Sequence, residues 1–296
     1  MLDAFVRAQT PGTSWNRARM LVRRGKVSVD GVLVTEITHR VPDGARVEVN
    51  LAAPRPTNTR LADSAIVYLD ADLVVVNKPA GVMTVPYEQE RDTLVDRTRR
   101  AVERMAGARR GELGVVQRLD KDTSGLLVFT RTLEAKRALQ QDLRKHAIDR
   151  HYLAIVHGVL TEPRSIETWF VDDRGDGLKG SFGHFRRQRG GPPPGAQRAL
   201  THVRPLETLA GATLVECTLE TGRQHQIRIH LSEEGYPVLG EAVYVRNHHG
   251  PRLPAPRQML HAAVLGFTHP RTGEAMRFEQ PPPADFAAVL AGLRRA

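Results

Sequence analysis

Hydrophobic positions along the chain change period several times, and each change marks an element. Met20, Leu21 and Val22 lie among Arg17, Arg19, Arg23 and Arg24, which predicts a helix with Thr13 or Ser14 as its N-cap and Gly25 as its stop. The period then drops to two. Val27 to Val34 alternates about Asp30-Gly31, a two-residue hairpin turn, and Arg46 to Val49 after Asp43-Gly44 adds a strand. Residues 52–60 hold two prolines among polar residues and carry no period, so a linker is expected there. The predicted organisation is a small module at 1–51, a linker at 52–62 and a main domain at 63–296.

In the main domain, Ile66 to Leu69 and Leu73 to Asn77 flank Asp70-Ala-Asp72 as a hairpin, and Lys78-Pro-Ala-Gly81 turns the chain. Helices are expected at Thr93 to Met105 and at Thr132 to Ile148, the latter with Ala135, Leu139 and Leu143 at four-residue spacing. Further strands are expected at Tyr152 to Val156, Leu200 to Leu206, Thr213 to Leu219, Gln226 to Ile229 and within Met259 to Phe267. Between Val115-Val116 and the apolar run Leu126 to Phe129 lies Asp120, in a turn rich in Asp, Thr, Ser and Gly. A carboxylate placed there is rigidly aimed, although turn acids commonly serve only to bond turn amides.

The charge changes the picture toward a polyanionic partner. Lys and Arg number 43 against 33 Asp and Glu, giving a net charge of +10. Eight basic and five acidic residues fall within 1–50, and six basic residues and one acid within 174–198. The Gly/Pro-rich stretch 172–197 reads as a mobile basic loop, where Phe182, His184 and Phe185 beside Arg186, Arg187 and Arg189 offer stacking planes and phosphate partners. No apolar run reaches about 18 residues and no signal-peptide pattern opens the chain, so a cytoplasmic protein without a membrane span is expected. The single Cys217 excludes an internal disulfide. His225 and His230 lack Cys or acidic companions at ligand spacing, so neither a metal nor another cofactor is expected.

Four stretches stand beside the Asp120 turn Arg118-Leu-Asp-Lys-Asp-Thr-Ser-Gly-Leu-Leu127. They are Asn77-Lys-Pro-Ala-Gly81, Asp149-Arg-His-Tyr-Leu-Ala154, Thr221-Gly-Arg-Gln-His-Gln-Ile-Arg-Ile-His-Leu231, and Leu260-His-Ala-Ala263 with His269-Pro270. Together and in this order they resemble the motif set of the RluA-type RNA pseudouridine synthases over about residues 66–283. Arg17 to Gly31 with Pro42 to Val49 resembles the S4 domain, a small RNA-binding module attached to several RNA enzymes.

The resemblance implies an α+β fold with a mixed, mostly antiparallel central sheet, flanking helices and a central cleft, preceded by a small α+β S4-like domain. It implies isomerisation of uridines in structured RNA, ribosomal RNA ahead of tRNA, by a monomer without cofactor. Asp120 matches the essential aspartate, Arg223 the arginine paired with it and Tyr152 the tyrosine that stacks on the base. Arg228 stands in reserve as the partner of Asp120, because strand alternation would turn it to another face than Arg223. Arg118, Thr123, Ser124, Leu126, Ile227 and Arg228 are expected to contact substrate, with Arg17, Arg19, Arg23 and Arg24 on RNA phosphates.

The chain departs from the family pattern at Gln117, usually His, at Gln224, usually Thr, and at Gly240-Glu-Ala-Val-Tyr-Val245, usually Gly-Asp-x-x-Tyr-Gly. Gln117 can donate a hydrogen bond but cannot carry a proton. A non-catalytic RNA-binding protein is the alternative reading. A hydrolase built on Ser124 and a histidine ranks last, since the serine lacks a Gly-x-Ser-x-Gly elbow.

Overall fold

The computed structural model describes all residues except 11, 36, 38, 54–59, 88–91, 107–110, 185–189, 247 and 296, together with the side chains of Arg23 and Ala106. The chain divides into two compact units, Met1–Arg60 and Leu61–Ala296. Most of the stretch read as a linker, 54–59, lies outside the described residues, as do Phe185, Arg186, Arg187 and Arg189 of the basic loop.

The first unit opens with α1 (Leu2–Gln9), which the periodicity did not single out, and α2 (Trp15–Arg23), whose N-cap is Ser14. Three antiparallel strands follow in the order β2-β1-β3: β1 (Val27–Val29), β2 (Val32–Leu33) and β3 (Val47–Val49). Asp30 and Gly31 both take positive φ, 51° and 77°, as the tight hairpin turn requires. Leu2, Val6, Ala18, Leu21, Val22 and Val27 close the unit's own small core.

The second unit is built on one sheet. Its elements are β4 (Ile66–Leu69), β5 (Leu73–Lys78), α3 (Leu94–Ala106), β6 (Gly114–Val115), β7 (Ser124–Thr130), α4 (Leu133–Arg144), β8 (Asp149–His157) and β9 (Arg164–Val171). They continue with β10 (Gly180–Ser181), β11 (Gln197–Leu209), β12 (Ala212–Leu219), α5 (Gln226–Glu233), β13 (Leu260–Thr268), β14 (Ala275–Glu279) and α6 (Ala284–Arg295). The strand order is β10-β9-β11-β12-β8-β13-β7-β5-β4, with β14 on β13 and β6 on β7. Among the described pairs only β13 with β7 is parallel, so the sheet is mixed and mostly antiparallel.

The order has a consequence for the site. Strands made early (β4, β5, β7) and strands made in the middle (β8 to β12) form two half-sheets, and β13 inserts between them to join β7 to β8. No helix among the described residues is long and apolar enough to cross a membrane.

One sequence expectation fails here. The run Gln226 to Ile229 is not a strand but the first turn of α5. Ile227, Ile229 and Leu231 alternate with polar residues and imitate period two, yet every residue from Gln226 to Ser232 is buried, so polarity no longer reports a face. Its polar members are satisfied from within: Gln226 Nε2 donates to Leu200 O at 3.0 Å, and both ring nitrogens of His230 meet threonine hydroxyls, of Thr201 and Thr168, at 2.9 Å.

In the basic stretch 172–197, part of the charge is taken up by acidic side chains of the fold. Its Arg174 is 2% exposed and donates to Asp176 and to Glu233, and Lys179 pairs with Asp172. The side chains of Asp173 and Asp176 accept from the backbone N–H groups of Gly175, Gly177 and Leu178 in short Asx turns.

Candidate active site

The turn that carries Asp120 is held from several sides. Thr84 Oγ1 accepts from Leu119 N at 3.1 Å and donates to Leu119 O at 2.7 Å. Lys78 Nζ donates to Lys121 O at 2.7 Å and to Pro79 O at 3.0 Å, and Gly81 N donates to Lys121 O at 2.8 Å. Arg257 Nη1 donates to Asp122 O at 2.9 Å. Where the turn enters β7, Gly125 (φ 113°) lies against β13 so closely that a Cβ would sit 2.2 Å from Ala262 O. Only glycine permits both that φ and that approach.

Lys78 explains why the Asn77-Lys-Pro motif belongs to this turn. It is fully buried, and burial pushes its pKa down to about 7, partly offset by Asp122 and Asp120. In the unfolded chain the same group stays protonated to about pH 10.4. Between these values the unfolded state binds the extra proton, so this group makes stability rise with pH from about 7 to about 10, by up to about 1.4 kcal/mol per pH unit. Unfolding free energies of wild type and Lys78→Met measured across that window should diverge accordingly, and parallel curves would remove Lys78 from the account.

Opposite the turn, α5 presents Arg228. Its Nη1 donates to Asp120 Oδ2 at 3.0 Å, while Nε and Nη2 form a fork on Glu241 at 2.7 and 2.8 Å. Burial works against the Arg228 charge, but the bonds and charge of Glu241, and then of Asp120, outweigh it and raise its pKa. Glu241 is itself wholly buried, and its carboxylate also accepts from the backbone N–H groups of Ala242 and Val243. Tyr244 lies beside the guanidinium, its ring centroid 5.3 Å away. The side chain of Asp120 is 25% exposed, so one oxygen is tethered and the other faces open space.

This corrects the expected pairing. Arg223 lines the same cleft but its Nε donates to Arg198 O at 2.9 Å, and the partner of Asp120 is Arg228. The reason is the helix: Arg223 precedes α5, whereas Arg228 sits one turn inside it, above His225 on the side facing Asp120. Tyr152, on β8, is 8% exposed and borders the cleft. Burial raises its pKa, Arg150 opposes and Asp120 adds to the rise, so the phenol keeps its proton at neutral pH.

The cleft encloses about 710 Å³, within the range of small-ligand sites, and Arg118, Thr123 and Ile227 border it with Asp120, Tyr152 and Arg228. Ser124 and Leu126 do not. On the wholly buried β7, Leu126 packs with Val128, Leu139 and Ile148 away from the cleft. Ser124 Oγ does meet a histidine, His261 Nδ1 at 3.0 Å, but both residues are buried and His261 Nε2 faces Gln280 O at 3.0 Å, so no nucleophile reaches solvent.

Three buried polar atoms without a hydrogen-bond partner among the described residues belong to side chains that border the cleft: Gln117 Oε1, Thr123 Oγ1 and Arg150 Nε.

Glu241, Arg150 and His225 are functional candidates that the sequence reading passed over. Their signals were present: Glu241 occupies the aspartate position of a family motif, and Arg150 lies two residues before Tyr152. Elsewhere, Asp70, Asp72 and His269 have ligand atoms within 4.8 Å of one another, but protein donors hold them: Tyr68 and His269 bond Asp70, and Arg271 bonds Asp72.

In the first unit, Arg17 and Arg19 are exposed on α2 and Arg24 follows at its C-cap, half-buried; the side chain of Arg23 lies outside the described residues. Arg19 pairs with Asp3 at 3.0 Å, and the guanidinium groups of Arg7 and Arg19 lie 4.6 and 5.6 Å from the ring centroid of Trp15, itself 43% exposed.

Comparison with known proteins adds the following. The profile of the RNA pseudouridylate synthase family matches residues 72–233. The uncharacterized RNA pseudouridine synthase YlyB of Bacillus subtilis (strain 168) is 34% identical over 302 residues, 99% of this chain and 94% of its own. Ribosomal large subunit pseudouridine synthase D of Pseudomonas aeruginosa is 34% identical over 309 residues, 99% of this chain and 92% of its own. Among solved structures, human RNA Pseudouridylate Synthase Domain Containing 4 is 25% identical, with a TM-score of 0.62 over 78% of this chain and 93% of that one.

Proposed function

The chain belongs to the RNA pseudouridylate synthase family, and from that premise we propose that it acts on large-subunit ribosomal RNA, with Asp120 as the group that attacks the target nucleotide. The reaction converts uridine in RNA to pseudouridine: the bond from C1′ to N1 breaks, the base turns, C1′ bonds C5, C5 gives up its proton and N1 takes one up. Nothing is added or removed, so one enzyme group must stabilise the detached sugar and return it.

A single observation carries the assignment. Asp120 has Oδ2 fixed by the buried Arg228–Glu241 pair and Oδ1 open to the cleft. A tethered carboxylate keeps its aim, as a nucleophile or a stabiliser of positive charge at C1′ requires. Tyr152 offers a protonated ring against which the extruded base stacks, because a uridine within folded RNA must leave its stack before Asp120 can reach it. Arg118, exposed at the rim, and Arg223, with its Nη groups beyond the Arg198 carbonyl contact, suit phosphates flanking that nucleotide. The cleft is complete within one chain, which supports a monomer.

The first unit is read as an S4-like RNA-holding module. Supporting it are the exposed Arg17 and Arg19 and the solvent-facing Trp15, which together offer charge and a stacking plane. The relatives from Bacillus and Pseudomonas align across 99% of the chain, so they span this unit too.

One experiment tests the substrate. Pseudouridines are mapped in total RNA from cells that carry the intact gene, lack it, or carry it without codons 1–60. At least one large-subunit position should lose its pseudouridine in the deletion and be modified less in the truncation. Loss confined to tRNA would reject the ribosomal assignment, and full modification by the truncated chain would reject the RNA-holding role of the first unit.

A further inference from the structure

His225 borders the cleft in an unusual backbone state. Its φ of 58° and ψ of 19° place a non-glycine residue in the left-handed region at the N-cap of α5. Among the described non-glycine residues only Asp30 and His146 share such a φ, and both sit in exposed turns. Left-handed conformations of side-chain-bearing residues cost energy and persist where the surroundings enforce them, often at functional sites.

The side chain is as firmly placed. Nδ1 lies 2.8 Å from the hydroxyl of the buried Tyr244, and the two rings meet edge to face at 5.6 Å. Burial raises the Tyr244 pKa, so its O–H stays available to donate. With Tyr244 donating, Nδ1 is the acceptor and the single proton of a neutral imidazole is on Nε2. Burial also lowers the His225 pKa, against the pull of Asp120, and keeps the ring neutral at pH 7. Nε2 then points at Asp120 Oδ1, the oxygen that Arg228 leaves open, from 3.9 Å. That is too far for a hydrogen bond between them, so Nε2–H is left to donate to a group bound beside Oδ1.

The groups near C1′ of a uridine that could accept from Nε2–H are uracil O2, the ring oxygen O4′ and the 2′-hydroxyl. Uracil O2 leaves its place when the base turns. O4′ shares the positive charge that develops at C1′, so a donor aimed at it would oppose the reaction. The 2′-hydroxyl stays put throughout and carries lone pairs. We propose that His225 Nε2–H donates to the 2′-hydroxyl of the target ribose, fixing C1′ against Asp120 and making the site selective for ribose. This rests on the isomerase reading given above.

The test is a double-mutant cycle between residue and substrate. A short synthetic RNA spanning the mapped uridine is made with ribose or with 2′-fluororibose at that one position, since fluorine is a poor acceptor. Pseudouridine formation is followed by nucleoside chromatography for wild type, His225→Phe and His225→Asn, the last because asparagine tolerates a left-handed backbone. Fluorine at C2′ also slows cleavage at C1′ in every enzyme, so the quantity read is the ratio of the two fluorine penalties. The wild-type penalty should exceed that of each variant by about tenfold, the worth of one such bond. Equal penalties in wild type and both variants would overturn the proposal while leaving the isomerase reading intact. An active-site assignment that fails altogether would show instead as no pseudouridine from wild type on the ribose RNA, which overturns both.

Discussion

Asp120→Asn abolishes release of tritium from RNA labelled at uridine C5, by at least about 10⁴-fold, while unfolding temperature and RNA affinity stay at wild-type values. The amide has the shape of the carboxylate and can still accept from Arg228, so packing is preserved. It has lost the charge and nucleophilicity on the open oxygen. Stability is spared because Glu241 still neutralises the buried guanidinium through two bonds. Tritium release by the mutant at a rate near that of wild type would remove Asp120 from the reaction.

Arg228→Met has a different signature: it lowers both activity and stability. The buried carboxylate of Glu241 loses its cation, and stranding a buried charge costs about 3–5 kcal/mol. Asp120 loses its tether, and the turnover number falls about 10²–10³-fold. Arg228→Met combined with Glu241→Gln regains most of the stability, since no charge is then stranded, but regains none of the turnover. Arg223→Met leaves stability within about 0.5 kcal/mol, as for a residue outside any buried ion pair, and acts mainly on KM. Calorimetry and steady-state kinetics on the three variants separate these outcomes. A fully active Arg228→Met, or an Arg223→Met as destabilised as Arg228→Met, would reverse the assignment of the two arginines.

Why the sequence favoured the wrong arginine is physical. Elements with one wet face were legible: α4 runs Leu133–Arg144 behind its Thr132 cap, and the Asp30-Gly31 hairpin closes as its turn residues require. Elements buried on all sides were not. Seven buried residues of α5 alternate polar and apolar, with Gln226, Arg228 and His230 hydrogen-bonded inside the fold, and that pattern imitates a strand. Read as a strand, Arg228 points away from Arg223; wound as a helix, it faces Asp120. On β7 the same blindness placed Ser124 and Leu126 in the cleft, since a strand buried throughout gives no sign of which side the substrate occupies. Motif order identified the stretches that meet. It could not say which atoms within them touch, because Glu241, 13 residues beyond Arg228, and the tautomer set by Tyr244 exist only in three dimensions.

The place of β13 has a bearing on synthesis. Asp120 enters from the half-sheet ending in β7, while Tyr152 and Arg228 come with the half-sheet that begins at β8, and residues 260–268 are the seam between them. Contacts across that seam span 108 residues from Asp120 to Arg228 and 137 from Ser124 to His261, separations that form late on the folding path. A nascent chain halted before residue 260 holds every catalytic side chain and lacks the strand that brings them together. Competence is therefore expected only once residues 260–268 have left the ribosome and can pair with both half-sheets.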